Sequence, residues 1–194
     1  ALAAVGEQLY FGIVPDKAEE PPHKTNPIGA SIKFLGVGRL GNSGAITAIT
    51  TTENGSKLQV WELKNENEGQ INPSQEYDIG AEIKAIDVIQ FRKNIVVAVQ
   101  TASKTQVYVF SDSAIPPRKA CSNDFAGSLP FSLSVDDHRV LIAFGNKIYL
   151  LPLNENAVAK ELWNIPGNVE ALVAGSMAGV SKVMARIAGV WSAW

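Results

Sequence analysis

The stretch Val140-Leu141-Ile142-Ala143-Phe144-Gly145-Asn146-Lys147-Ile148-Tyr149-Leu150-Leu151 decides how this chain is read. An apolar run is followed by Gly-Asn and then by a second apolar run. Runs of roughly four to eight such residues, bounded by turn formers, read as strands buried on both faces. A Gly-Asn link is short enough to join the two antiparallel. The same unit occurs twice upstream. Ala45-Ile46-Thr47-Ala48-Ile49 leads through Glu53-Asn54-Gly55-Ser56 to Leu58–Leu63, and Ile95-Val96-Val97-Ala98-Val99 leads through Ala102-Ser103-Lys104 to Gln106–Phe110. Further copies of the second run lie at Leu9 to Val14 and Gly189 to Trp194. Another strand precedes the unit, as at Ile83-Lys84-Ala85-Ile86-Asp87-Val88, whose alternation predicts one exposed face. The last large apolar residues of the four clearest copies are Trp61, Phe110, Leu151 and Trp194, separated by 49, 41 and 43 residues.

That period, about 40–45 residues for a few short strands, is the length of one propeller blade. The expected fold is therefore all-β: a β-propeller with about four to five WD40-like blades, residues 1–194 forming a single propeller region. The polar stretches Asp16 to Asn26 and Asn65 to Glu76 read as surface loops rather than interdomain linkers. Leu133-Ser134-Val135-Asp136-Asp137-His138-Arg139-Val140-Leu141-Ile142-Ala143 resembles the strand–turn–strand of a WD repeat, in which Asp136 or Asp137 would hydrogen-bond its own turn backbone. No blade carries the Gly-His or Trp-Asp dipeptides of that family. The strand order from Ile32 to Trp194 is similar to that of the WD-repeat propellers in the Y-shaped nuclear pore scaffold. This resemblance implies an intracellular scaffold in the cytoplasm or nucleus, the nuclear envelope included, whose partners are other subunits of a multiprotein complex. The run His138 to Tyr149 also resembles the phosphoinositide-binding propellers of autophagy. Their lipid site needs an Arg-Arg pair, which does not occur here.

A seven-bladed ring needs roughly 300 residues. The sequence of 194 begins inside an apparent strand at Ala1 and ends inside another at Trp194. An incomplete or open ring, part of a longer propeller, is expected, with exposed strand edges able to accept a partner's strand. A four-bladed ring would be associated with a disulfide tie, which Cys121, the single cysteine, cannot make.

Hydrophobic residues are 46% and charged residues 19%, a globular mix that argues against disorder. Lys plus Arg total 17 and Asp plus Glu 19, so the net charge of -2 offers no basic excess for nucleic acid or an anionic membrane. A lone cysteine also lacks the second thiol of a thiolate zinc site and fits a reducing compartment. No basic leader precedes the first apolar residues. Asn54-Gly55-Ser56 reads as a hairpin turn rather than a glycosylation site.

The residues that could carry chemistry each have a simpler reading. Gly36-Val37-Gly38-Arg39-Leu40-Gly41 spells G-x-G-x-x-G, which in a dinucleotide-binding enzyme opens a helix beneath a pyrophosphate. Here a β-branched run follows, poor helix material, so a tight turn is expected and no cofactor. His23, in a Pro-rich loop, and His138, in a turn, have no second ligand at metal spacing. The pairs Glu19-Glu20 and Asp136-Asp137 read as solvated loop charges. No serine lies in a G-x-S-x-G elbow. Trp61, Trp163, Trp191 and Trp194 are expected to pack between blades. Val169 to Trp194 fits either strands at the blade period or an amphipathic helix with the G-x-x-x-G of Gly175–Gly179, and strands are favoured because Gly, Ser, Lys182 and Arg186 interrupt the apolar face. No catalytic, cofactor or metal residue is assigned, which points to a binding module rather than an enzyme. The far-UV circular dichroism spectrum is expected to be β-dominated, and a spectrum dominated by helix would refute this reading.

Overall fold

The computed structural model describes residues 2–11, 23–41, 45–63, 72–112, 115–177 and 180–193, and among them there is no helix. Five antiparallel sheets follow one another along the chain. The first contains β1 (Leu2–Val5), β2 (Gln8–Phe11) and β3 (His23–Lys24). The second contains β4 (Ile32–Gly38), β5 (Ile46–Thr52), β6 (Lys57–Leu63) and β7 (Gln75–Asp78). The third contains β8 (Ala85–Phe91), β9 (Asn94–Gln100), β10 (Lys104–Phe110) and two short outer pieces, β11 (Arg118–Lys119) and β12 (Phe125–Ala126). The fourth contains β13 (Phe131–Val135), β14 (Val140–Phe144), β15 (Lys147–Leu151) and β16 (Lys160–Asn164). The fifth contains β17 (Val169–Met177), β18 (Val180–Ile187) and β19 (Val190–Ala193).

The order within each sheet is the order in sequence, a meander that needs only short turns. Between sheets two and five, consecutive sheets approach most closely at β4, β8, β13 and β17, so these line the inside and the later strands of each sheet fan outward. This is the blade arrangement of a β-propeller. The array is open, because no sheet combines strands from both ends of the described chain.

Packing is face to face. The alternation of β9 sends Ile95, Val97 and Val99 toward Ile49, Leu58 and Val60 of sheet two, while Val96 and Ala98 pack on Val140, Ile142 and Phe144 of sheet four. Leu141, Ala143 and Ile148 then meet Leu172, Val183 and Ala185 of sheet five. At the other end Ala48, Trp61 and Leu63 cover Leu9 and Phe11. Each fully buried Val, Leu, Ile or Phe among them contributes about 1.5–3 kcal/mol, so the sheets depend on one another for their cores. Trp61 is fully buried, and its indole N–H donates to Thr50 Oγ1 at 2.9 Å.

The expected turns are present. Asn54 adopts a positive φ of 55° at the β5–β6 turn, a conformation Asn tolerates better than most residues. Asp136 Oδ1 accepts the backbone N–H groups of His138 at 2.9 Å and Arg139 at 2.8 Å, closing the β13–β14 turn on itself. Residues 169–177, 180–187 and 190–193 form strands rather than a helix.

Five expectations are corrected. The inner strand expected over Ile83–Val88 runs from Ala85 to Phe91, and Ile83 is instead wholly buried beside it. That strand has no freely exposed face, because β4 and β13 flank it. Asp136 is not a solvated charge: its carboxylate is buried and ion-paired to Arg139 Nη2 at 2.6 Å. His23 belongs to β3, its ring tilted against Phe11 at 5.5 Å, rather than to a loop. Trp191 is 43% exposed, because no sheet among the described residues covers the outer face of sheet five. The continuation of β2 through Val14, most of the stretch Asp16–Asn26, Asn65–Glu76 up to residue 71, and Glu19, Glu20, Trp194 and Ala1 lie outside the described residues, as do residues 178 and 179 of the G-x-x-x-G.

A recurrent ion pair ties the outer strand or loop to the third strand of each central sheet. Lys57 meets Glu76 at 2.8 Å, Lys104 meets Asp124 at 3.0 Å, and Lys147 meets Glu161 at 2.7 Å. Asp124 is the most enclosed of the three acids and also accepts from Gln106 Nε2 and Lys119 Nζ. Burial acts to raise its pKa, but the bonds from Lys104, Gln106 and Lys119 outweigh burial and hold it below the usual carboxylate range. A folded-state pKa below the unfolded one stabilises the fold fully above about pH 4 and loses that effect as pH falls through the lower folded value. Asp124→Asn is therefore expected to lower stability by about 1–2 kcal/mol at neutral pH and to flatten its decline in acid. Urea unfolding of both proteins at pH 7 and pH 3 measures this, and a constant difference between them would contradict it.

Candidate interaction surface

The inner strands are joined across the seams by side chains that bond to the neighbouring backbone. Asp87 Oδ2 on β8 accepts the N–H of Leu133 on β13 at 2.7 Å. Ser132 and Ser134 on β13 accept from Leu172 N at 3.2 Å and Ala174 N at 2.7 Å on β17. Between β4 and β8 the link is Gln90. Its Oε1 accepts from Arg39 N at 2.6 Å, and its Nε2 reaches the carbonyls of Arg39 at 3.0 Å, Arg92 at 2.7 Å and Asn94 at 3.0 Å.

This seam explains the G-x-G-x-x-G sequence. A Cβ at Gly36 would fall inside Val88, and one at Gly38 would lie 2.6 Å from Gln90 Oε1 and 2.7 Å from Ile95 Cγ1. Gly41 has φ +61° and donates its N–H to Lys93 O at 2.9 Å. The glycines thus serve close sheet packing and a turn, and β5 follows where a dinucleotide fold would place a helix.

Beside this seam lies a cleft of about 580 Å³. Arg39 and Arg92 line it, with Gly38, Gly41 and Gln90 beside them and Val37 and Ile46 as an apolar wall. Val37 is 46% exposed. Arg92 holds a positive φ of 55° and lies over the Phe91 ring at 5.2 Å. Neither arginine is ion-paired among the described residues.

The two end sheets present a second kind of surface. On sheet five, Val173 pairs with Met184 and Arg186 with Trp191, so these four share the face turned away from sheet four. Val173 is 52% exposed and Met184 43%. On sheet one, Val5 is 60% exposed on the face opposite Leu9 and Phe11. The corresponding faces of sheets two to four are covered by neighbours.

Other groups weighed for chemistry are not assembled. His23 lies on sheet one and His138 in the β13–β14 turn of sheet four, and among the described residues no three His, Cys, Asp or Glu gather to hold a metal. Burial, reinforced by the Asp124 carboxylate, pushes the Cys121 thiol up, away from a nucleophilic thiolate. Trp163 is half-buried against the core between sheets four and five. The grouping of Arg39, Gln90 and Arg92 had no local sequence signal, since Arg39 and Gln90 stand 51 positions apart.

The fold defined by these sheets is that of the β-propellers. Among solved structures, the β-propeller domain of Myceliophteria thermophila Cps50 (Swd1) matches with a TM-score of 0.61 at 11% identity, over 100% of this chain and 64% of that one. The fission yeast SREBP–SCAP binding-domain complex matches with a TM-score of 0.58 at 13% identity, over 97% of this chain and 58% of that one. The chain thus spans less than two thirds of the length of each of these two structures. No family model and no curated protein matches the sequence.

Gly36→Ala is expected to cost about 1–3 kcal/mol through overpacking, with much of the loss recovered when Val88→Ala is added. Denaturant midpoints of the two single variants and the double variant test this, and additive losses would show that Gly36 does not serve the seam.

Proposed function

We propose that this chain is a non-catalytic β-propeller scaffold that binds other proteins within a multiprotein assembly. The observation that carries the reading is the array of packed blades, a rigid platform whose fold is shared with the Swd1 propeller domain and the SREBP–SCAP binding domains. Contiguous exposed apolar surface on a rigid platform favours protein association. The outer face of sheet five, with Val173, Met184 and Trp191, suits a β surface that packs on it or pairs with its strand edge. The net charge of -2 argues against nucleic acid as the principal partner. Within this reading, the resemblance of the strand order to the propellers of the Y-shaped nuclear pore scaffold favours an assembly of that kind, in the cytoplasm or nucleus or at the nuclear envelope.

Affinity isolation of the tagged protein from its native source should recover stoichiometric protein partners. Val173→Glu with Met184→Glu should reduce their recovery at least tenfold, with the circular dichroism spectrum unchanged. Recovery of the protein alone, as a monomer, would refute the scaffold reading. Undiminished recovery with the double variant would place the contact elsewhere.

A further inference from the structure

We infer that the cleft between Arg39 and Arg92 is a binding site for an acidic peptide segment, one whose carboxylate is held by the guanidinium groups while an adjacent aliphatic side chain rests on Val37 and Ile46. Both arginines line one cleft and neither has a carboxylate partner among the described residues. Two like charges on a shared cleft repel, and an anion placed between them reverses that cost. A guanidinium offers paired N–H donors that match the two oxygens of a carboxylate.

The arginines are also held in place. One side chain, Gln90, bonds to the backbone of both Arg39 and Arg92, although the two follow strands of different sheets. Gly41 N to Lys93 O at 2.9 Å joins the same two segments again. The separation of the two arginine backbones is therefore set before any ligand arrives, which lowers the ordering cost of binding. Gln90 is a positioning residue.

The walls select the ligand class. A phosphate cradle would need free backbone N–H groups, but those of Arg39 and Gly41 are already bonded to Gln90 Oε1 and Lys93 O. Among the described residues no aromatic ring lines the cleft to stack a base. An exposed valine and a half-buried isoleucine beside the cations fit a peptide that carries an acidic residue next to an aliphatic one. The cleft lies on sheets two and three, away from the exposed face of sheet five, so it is gained or lost independently of the scaffold contact proposed above.

The test is fluorescence anisotropy on the full chain with a labelled, end-blocked peptide of alternating Val and Glu, against its Val and Gln counterpart. The acidic peptide is expected to bind at least tenfold more tightly, and to weaken several-fold between 50 and 300 mM salt as exposed charges are screened. Arg39→Gln and Arg92→Gln should each weaken it about tenfold, whereas Arg39→Lys with Arg92→Lys should retain part of the affinity. Gln90→Leu should weaken it while leaving both charges in place, and thermal melts identify any variant that fails to fold. The site is refuted if the Gln peptide binds equally well, or if the folded Arg39→Gln, Arg92→Gln double variant keeps full affinity. Displacement of the peptide by an equal concentration of inorganic phosphate would show a bare anion site and overturn the peptide assignment.

Discussion

The seams between consecutive sheets hold this chain together. A sheet three or four strands wide has two apolar faces and no means of covering either, so β5, β9 and β14 are sheltered only because a sheet lies on each side. The hydrophobic contribution is then a property of neighbouring pairs of sheets, as expected for a repeat architecture. The inner strands add direction to it. Asp87, Gln90, Ser132 and Ser134 each satisfy backbone groups on the next sheet and set the height at which one sheet meets another. Gly36 and Gly38 belong to the same constraint, since only residues without side chains let β8 approach β4 this closely.

The fold was legible where burial was two-sided. Val96–Val99 and Val140–Phe144 are continuous apolar runs because both their faces are covered, and their recurrence gave the blade period. The inner strand over Ala85–Phe91 misled, since its alternation suggests a free face although strands on both flanks cover it. Asp136 misled for a related reason: two adjacent acids look solvated until the turn folds one of them onto Arg139. Two repeated signals went unread. Lys57-x-Gln59-x-Trp61 and Lys104-x-Gln106-x-Tyr108 place the same residue types at the same strand positions, and each meets an acid from the outer part of its sheet.

The candidate sites were hidden from a sequence reading by their construction. Arg39 joins Arg92 through a side chain on another sheet, and no local pattern marks such a pair. Trp191 shows the opposite difficulty, because a large apolar residue in the repeated strand slot reads as core wherever a neighbour is assumed. In both cases what decides the role of the residue is the sheet next to it, which sequence spacing alone does not report.

The contrast between inside and outside has a further consequence for motion. Inner strands β8, β13 and β17 are joined by part-buried bonds from Asp87, Ser132 and Ser134, whereas outer strands are held by lysine–acid pairs whose lysines are 38–54% exposed. Exposed pairs of this kind are each worth about 1 kcal/mol or less. Amide protons should therefore exchange with solvent in a radial order, earliest at the perimeter and latest around β9 and β14. The blades would breathe from their rims, and the most persistent structure would be the strands packed on both faces.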